Sequence, residues 1–251
     1  MIQQDHPQWS ASVLTLFPEM FPGPLGHSLA GRALERGIWS LECFQIRDFA
    51  TGKHKDVDGP ACGGGVGLVM RADVMGAAID HVLAQYDERP VLLYPSPRGK
   101  AVSQSFLREM AEQRAALFVC GRYEGLDQRV IDHYQLIEIS VGDYVLSGGE
   151  LAALTIMDGV VRLLDGVMGN PEGHLSDSFE NGLLEHSHYT LPRDWKGQEV
   201  PEILLSGHHQ QIAKYKYQQS CDITRDRRPD LWHAHEAKKQ AKKHAKSDDK
   251  Y

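Results

Sequence analysis

Short apolar runs alternate with longer amphipathic stretches through the first two thirds of the chain, and this alternation constrains the fold more than any other feature. The runs at residues 12–17, 41–46, 91–94, 116–119 and 136–140 have the length and apolar content of buried strands. Between and after them, residues 25–36, 74–86, 102–114, 126–134 and 150–164 carry apolar side chains at helical spacing. Ile79, Val82, Leu83 and Tyr86 form one such face, and Leu151, Leu154, Val161 and Leu164 another. Buried strands separated by helices predict an α/β fold, a mostly parallel sheet covered on both faces. Residues 51–67, rich in Gly, Asp and Lys, read as a long loop. After Gly166 the run GVMGNPEGHLSD reads as a linker, and helical stretches follow near 201–205 and 210–219. The expected organisation is an α/β domain over 1–166, a linker over 167–177 and a smaller helical domain over 178–251.

Several function classes fall away at this point. No apolar run approaches the roughly 18 residues of a membrane span. The first ten residues lack the basic and apolar segments of a secretory signal, so a cytoplasmic setting is expected. Cys43, Cys62, Cys120 and Cys221 are scattered, which excludes a zinc cluster built on cysteine spacing and argues against a disulfide framework. His186/His188, His208/His209 and His233/His235 are close pairs of the kind turns and surfaces commonly carry, and no metal site is expected. The formal charge of −7 is uneven: residues 201–251 hold 11 Lys+Arg against 7 Asp+Glu, leaving −11 on the rest. A basic end on an acidic body suits a polyanion partner, although the run KKQAKKHAKSDDK is also the composition of a solvated tail.

Three glycine-containing turns follow three expected strands. They are Ser96-Pro97-Arg98-Gly99, then Gly121-Arg122-Tyr123-Glu124-Gly125, then Val141 to Glu150. In a parallel sheet the C-terminal strand ends share one edge, where ligands bind. These turns are either ordinary strand–helix connections or the walls of a small-molecule pocket, and their clustering favours the pocket. Nucleotide fingerprints are missing. There is no G-x-x-x-x-G-K-[ST], and in Gly63-Gly64-Gly65-Val66-Gly67-Leu68 a leucine stands where the third glycine of a dinucleotide loop belongs. No G-x-S-x-G elbow is present.

The stretches LTLFPEMF, VCGRYEGLDQRVI, SVGDYVLSGGELAAL, DSFENGLLEHSHYT and SGHHQQI together resemble the bacterial tRNA (guanine-N-1)-methyltransferase family, and the likeness runs from about residue 12 to 231. The resemblance implies a SPOUT-class α/β domain with a C-terminal trefoil knot, a homodimer, and methyl transfer from S-adenosylmethionine to the guanine at position 37 of tRNA, beside the anticodon. It implies tRNA as partner, with no DNA or membrane, and a magnesium requirement. By the same resemblance Gly121, Tyr123, Glu124, Val141, Gly142, Asp143, Tyr144, Val145, Leu146, Gly148 and Gly149 hold the cofactor, and Pro95, Ser96 and Pro97 line its pocket. Asp177 and Arg162 fall on the family's catalytic aspartate and arginine.

These residue types suit the reaction. Guanine N1 is protonated at neutral pH, so a carboxylate is needed to accept its proton. Charge then gathers on the exocyclic oxygen, where a guanidinium stabilises it. The base must also leave its stack. Asp177 has another reading: with Glu180 it forms the capping box of a helix over residues 179–184. Arg162, one turn after Asp158, also suits an exposed helix position. Arg98 stands where the family often has Gln, and Tyr215-Lys216 where it often has Trp-Arg. The lysine-rich end from about 236 has no counterpart. A related methyltransferase acting on a ribose hydroxyl, or a non-catalytic RNA-binding protein, remain the alternatives.

Overall fold

The computed structural model describes residues 7–65, 67–169 and 177–248. The first six residues, Val66 of the glycine loop, 170–176 of the expected linker and the last three residues lie outside them. The chain divides into two compact units, Met1–Pro171 and Glu172–Tyr251.

The first unit is built on strands β1 (Trp9–Thr15), β2 (Trp39–Gln45), β5 (Val91–Ala101), β6 (Ala115–Val119) and β7 (Ile137–Ser140). A short antiparallel pair, β3 (Asp58–Pro60) and β4 (Leu68–Met70), lies apart from them. The five strands form one sheet in the order β2-β1-β6-β5-β7, every pairing parallel. Alternation along the strands sends Trp9, Ala11, Val13, Leu93 and Phe118 to one face and Leu14, Leu92, Tyr94, Leu117 and Val119 to the other. Helices α1 (Ser28–Glu35), α3 (Gln104–Glu112) and α5 (Glu150–Val161) contribute to the first layer, α2 (Ala72–Leu83) and α4 (Gln128–Tyr134) to the second. The expected two-sided α/β sheet is therefore present. Its crossovers leave β5 through α3 and β6 through α4, in opposite directions on opposite faces. That arrangement opens a crevice at the C-terminal strand ends.

Two details of this unit differ from the sequence reading. Strand β5 does not stop at Tyr94. Ile139 of β7 pairs with both Pro95 and Lys100, so residues 96–99 bulge out and the strand resumes. A Cβ at Gly99 would overlap the backbone of Glu138 and Ile139, which is why this position lacks a side chain. The loop 51–67 also contains β3, which pairs with β4.

In the second unit, β8 (Asp194–Trp195) and β9 (Gln198–Glu199) form a hairpin. Helices α6 (Glu202–Leu205), α7 (His209–Arg227) and α8 (Pro229–Asp248) follow it. The helix expected over 179–184 is absent. Residues 177–183 form turns and bends, with Phe179 at φ 77 and its N–H donating to Leu183 O. A capping box needs a helix to cap, so that reading of Asp177 and Glu180 fails. Residues beyond 236 are helical as far as Asp248 rather than a loose tail. Trp232 anchors the start of α8, stacked on His235 and covered by the Arg225 guanidinium at 4.4 Å. Among the described residues no helix is long and apolar enough to cross a membrane.

Candidate active site

The three glycine turns converge. Residues 94–98, 121–125, 139–142 and 144–149, with Ala152, line a cavity of about 280 Å3 at the bulge of β5 and the C-terminal ends of β6 and β7. Every residue expected from the motifs to hold or border the cofactor lies on this wall except Asp143, which is exposed in the 141–149 turn. Tyr123, Tyr144, Val145 and Leu146 are exposed, apolar or aromatic side chains on a cleft otherwise rich in backbone. Tyr123 holds φ 58, a left-handed conformation that an ordinary side chain adopts at a cost.

The glycines explain themselves differently from the sequence reading. There they let a ligand approach the backbone; in the structure they are first required by the protein's own packing. A Cβ at Gly121 would lie 2.9 Å from the Tyr94 ring, and one at Gly149 3.0 Å from the Cys120 Cα. The Gly149 N–H donates to Gly121 O at 3.1 Å, joining two walls directly. Tyr94 is buried beneath them and its hydroxyl accepts from the Leu126 N–H at 3.3 Å. Burial pushes its titration upward, so it stays a neutral phenol.

Three residues that motif reading did not assign organise this wall. Glu150, the first residue of α5, is 1% exposed and accepts from Thr15 Oγ1 at 2.8 Å. It also forms an ion pair with Arg122 (Nη2–Oε2 3.0 Å). Cys120 lies fully buried nearby; burial, then the charge of Glu150, push its thiol well above the usual range. It is held as an inert thiol, not a nucleophile. A carboxylate opening a helix looks like ordinary capping in sequence, and its ion pair spans 28 positions, so only the G-G-E run carried a trace of it.

Arg162 is not on the cavity wall, and Asp177 belongs to the second unit. Arg162 closes α5 at its C-terminal end, while Glu150 opens the helix beside the cavity. A helix of 12 residues is roughly 18 Å long, so one helix length separates Arg162 from the wall that Gly149 and Ala152 line. Asp177 opens the turns of the second unit, where its carbonyl accepts from the Glu180 N–H. Beside the cavity a second, open groove is lined by residues including Gly59, Cys62, Arg71 and Arg129, and it shares Arg98 and Glu124 with the first. Arg98 there pairs with Glu138 at 3.2 Å. Among the described residues no three His, Cys, Asp or Glu side chains gather as a metal site.

Residues 10–234 match the family described as "tRNA (Guanine-1)-methyltransferase TrmD". The chain is 59% identical over 222 residues to a tRNA (guanine-N(1)-)-methyltransferase of Chelativorans sp. (strain BNC1), covering 88% of this chain and 94% of that protein. It is 58% identical over 227 residues to the protein of the same name from Mesorhizobium japonicum, covering 90% and 97%. With that of Brucella ovis it shares 54% over 235 residues, covering 94% and 96%.

Proposed function

The chain belongs to the tRNA (guanine-1)-methyltransferase family, and from that premise we propose that it methylates N1 of the guanine at position 37 of tRNA, using S-adenosylmethionine held in the cavity at the β5–β6–β7 edge. The observation that carries the reading is the convergence of the three motif turns on one cavity. Its walls suit such a molecule. Exposed Tyr123, Tyr144 and Leu146 offer apolar surface to a flat ring, the turns offer backbone amides and carbonyls, and Glu124 offers a carboxylate to a cationic group. When bound, S-adenosylmethionine supplies an electrophilic methyl group.

The chain's own residues do the rest. Asp177 accepts the N1 proton as the nitrogen becomes a nucleophile. Arg162 stabilises the charge that gathers on the guanine oxygen. The length of α5 supports a site made by two copies: Arg162 lies a helix away from its own cavity, so the cavity of one chain works with Arg162 and Asp177 of a second. The knotted SPOUT chain path, a cytoplasmic location, and the helical unit as the main tRNA-binding part belong to the same reading.

Unmodified tRNA incubated with labelled S-adenosylmethionine and then digested to nucleosides tests it. The expected product is 1-methylguanosine from position 37, and repeating the reaction with a chelator measures the magnesium requirement. Label in a ribose-methylated nucleoside, or cofactor binding with no transfer, overturns the proposal in favour of another class. For the shared site, an Asp177→Ala chain mixed with a cavity-defective Leu146→Glu chain should regain activity through heterodimers with one intact site. No recovery after verified subunit exchange would leave each chain working alone.

A further inference from the structure

Arg122 lies on the cavity wall, but the described contacts of its guanidinium face the protein. Nε donates to Glu150 Oε1 at 3.2 Å, Nη2 meets Oε2 at 3.0 Å, and Nη1 donates to Ser147 O at 3.2 Å. Its Cζ lies over the Phe17 ring, 4.3 Å from the ring centre. Glu150 in turn holds the Thr15 hydroxyl, whose oxygen accepts from the Phe17 N–H at 3.0 Å. One buried carboxylate and one arginine thus tie together the end of β1, the turn after β6 and the turn before α5. Gly148 must pass beside this pair. A Cβ there would lie 2.5 Å from Glu150 Oε2 and 2.7 Å from Arg122 Cδ. The pair therefore accounts for the glycine at 148 in the run Ser147-Gly148-Gly149-Glu150.

We propose that Glu150 and Arg122 form a positioning pair that sets how tightly the cavity binds S-adenosylmethionine, by clamping the 147–149 backbone against the 121–125 turn, without touching the reacting atoms. This rests on the cofactor reading of the cavity. Removing one partner strands the other in a buried site. Replacing both with apolar groups removes the stranded charge but not the whole cost, because the buried Thr15 hydroxyl loses its acceptor and Ser147 O its donor, and the clamp is gone.

The test uses the full-length protein, calorimetry with S-adenosylmethionine, and steady-state kinetics. Arg122→Met alone should lower the melting temperature and weaken cofactor binding. The double variant Arg122→Met/Glu150→Leu should melt above Arg122→Met, since no buried charge is stranded, yet bind S-adenosylmethionine about 10–100-fold more weakly than the parent, the worth of one lost charge-assisted hydrogen bond. Its KM for the cofactor should rise by the same factor, while kcat at saturation and tRNA affinity stay within a few-fold. Arg122→Lys keeps the charge and one arm, and should recover part of the affinity; it also carries the test if the apolar variants fail to fold. Parent-like cofactor affinity in a folded double variant, or in Arg122→Lys, reduces the pair to a structural role and overturns the proposal. So does a fall in kcat with KM unchanged. A parent protein that fails to bind S-adenosylmethionine defeats the cavity reading itself, a separate failure.

Discussion

Glycine does different work around the cavity and in the turns of the second unit. Around the cavity, Gly99, Gly121, Gly148 and Gly149 are required because neighbouring atoms occupy the space a side chain would need. In the second unit Gly182, Gly197 and Gly207 have nothing within 4 Å of a Cβ and instead sit at positive φ, between 72 and 77. The first kind of glycine marks close packing, against backbone at Gly99 and Gly149 and against held side chains at Gly121 and Gly148; the second marks a free-standing turn. Burial follows the same division. The sheet unit has an apolar layer on each face, whereas the described residues of the second unit bury only Leu183, Cys221 and Thr224. Thr224 Oγ1 there receives the Leu184 N–H at 2.8 Å, one of few ties between the turns and α7. The cavity is thus pre-shaped by a dense scaffold, while the helical unit presents surface and holds its shape with few contacts.

The largest expected effect breaks this comparison if it fails. Gly99→Val should cost at least about 3 kcal/mol, because β7 backbone cannot yield. Gly197→Ala should cost only about 1 kcal/mol, the price of a left-handed alanine. Denaturation followed by the buried Trp9 and Trp39 reads the sheet unit, and Trp195 and Trp232, kept singly, read the other. Equal costs would erase the distinction.

Next comes Asp177→Asn, which keeps size and removes the proposed proton acceptor. Single-turnover methyl transfer should fall by about 10²–10⁴-fold, with melting temperature and cofactor affinity near the parent's. With no helix following Asp177, Asp177→Ala should cost no capping energy. Transfer by Asp177→Asn at the parent rate would move the proton acceptor elsewhere.

Smaller still is the expected electrostatic contribution of the helical unit. Arg227 is exposed, and Arg228 is already engaged with Asp230 at 2.8 and 2.6 Å. Arg227→Gln should lower the salt dependence of tRNA binding by about 0.7–0.9 in log–log slope, and Arg228→Gln by less. An unchanged slope would place the RNA surface elsewhere.

The smallest effect belongs to the sheet unit. Tyr134 donates to Asp80 Oδ1 at 2.7 Å, and burial, then that bond and the Asp80 charge, push its phenol up to about 12. The neutral form is favoured by the fold, so its stabilisation is complete below about pH 10 and is lost as pH rises through 12. Tyr134→Phe should flatten the pH dependence in that window by about 1 kcal/mol. An identical alkaline limb in the variant would remove Tyr134 from the account.

The parallel sheet was legible because buried strands write themselves as short apolar runs, and the cavity turns because glycine stands out in sequence. What stayed hidden depends on partners far along the chain. Ser96-Pro97-Arg98-Gly99 reads as a turn that follows a finished strand, since nothing local reveals that Ile139 pairs on both sides of it. Asp177 and Glu180 have the spacing of a capping box, yet the segment folds into turns around a left-handed Phe179. The lysine run reads as a tail, although Ala, Lys, Gln and Glu are strong helix formers and α8 continues through them. Glu150 and Arg122 look like a helix-start carboxylate and a turn arginine until the fold brings them together.

The double pairing of Ile139 also orders events in time. Residues 96–99 cannot settle until β7 lies beneath them, and β7 is the last strand of the sheet to leave the ribosome. The 147–149 wall follows it in the chain. Earlier segments can collapse into parallel β1–β2 pairs, but no chain shorter than the sheet unit has a cleft. Ligand binding there would therefore report completion of the sheet unit rather than progress toward it, and a ligand of the cleft cannot act as a template for the slow, long-range steps that precede it.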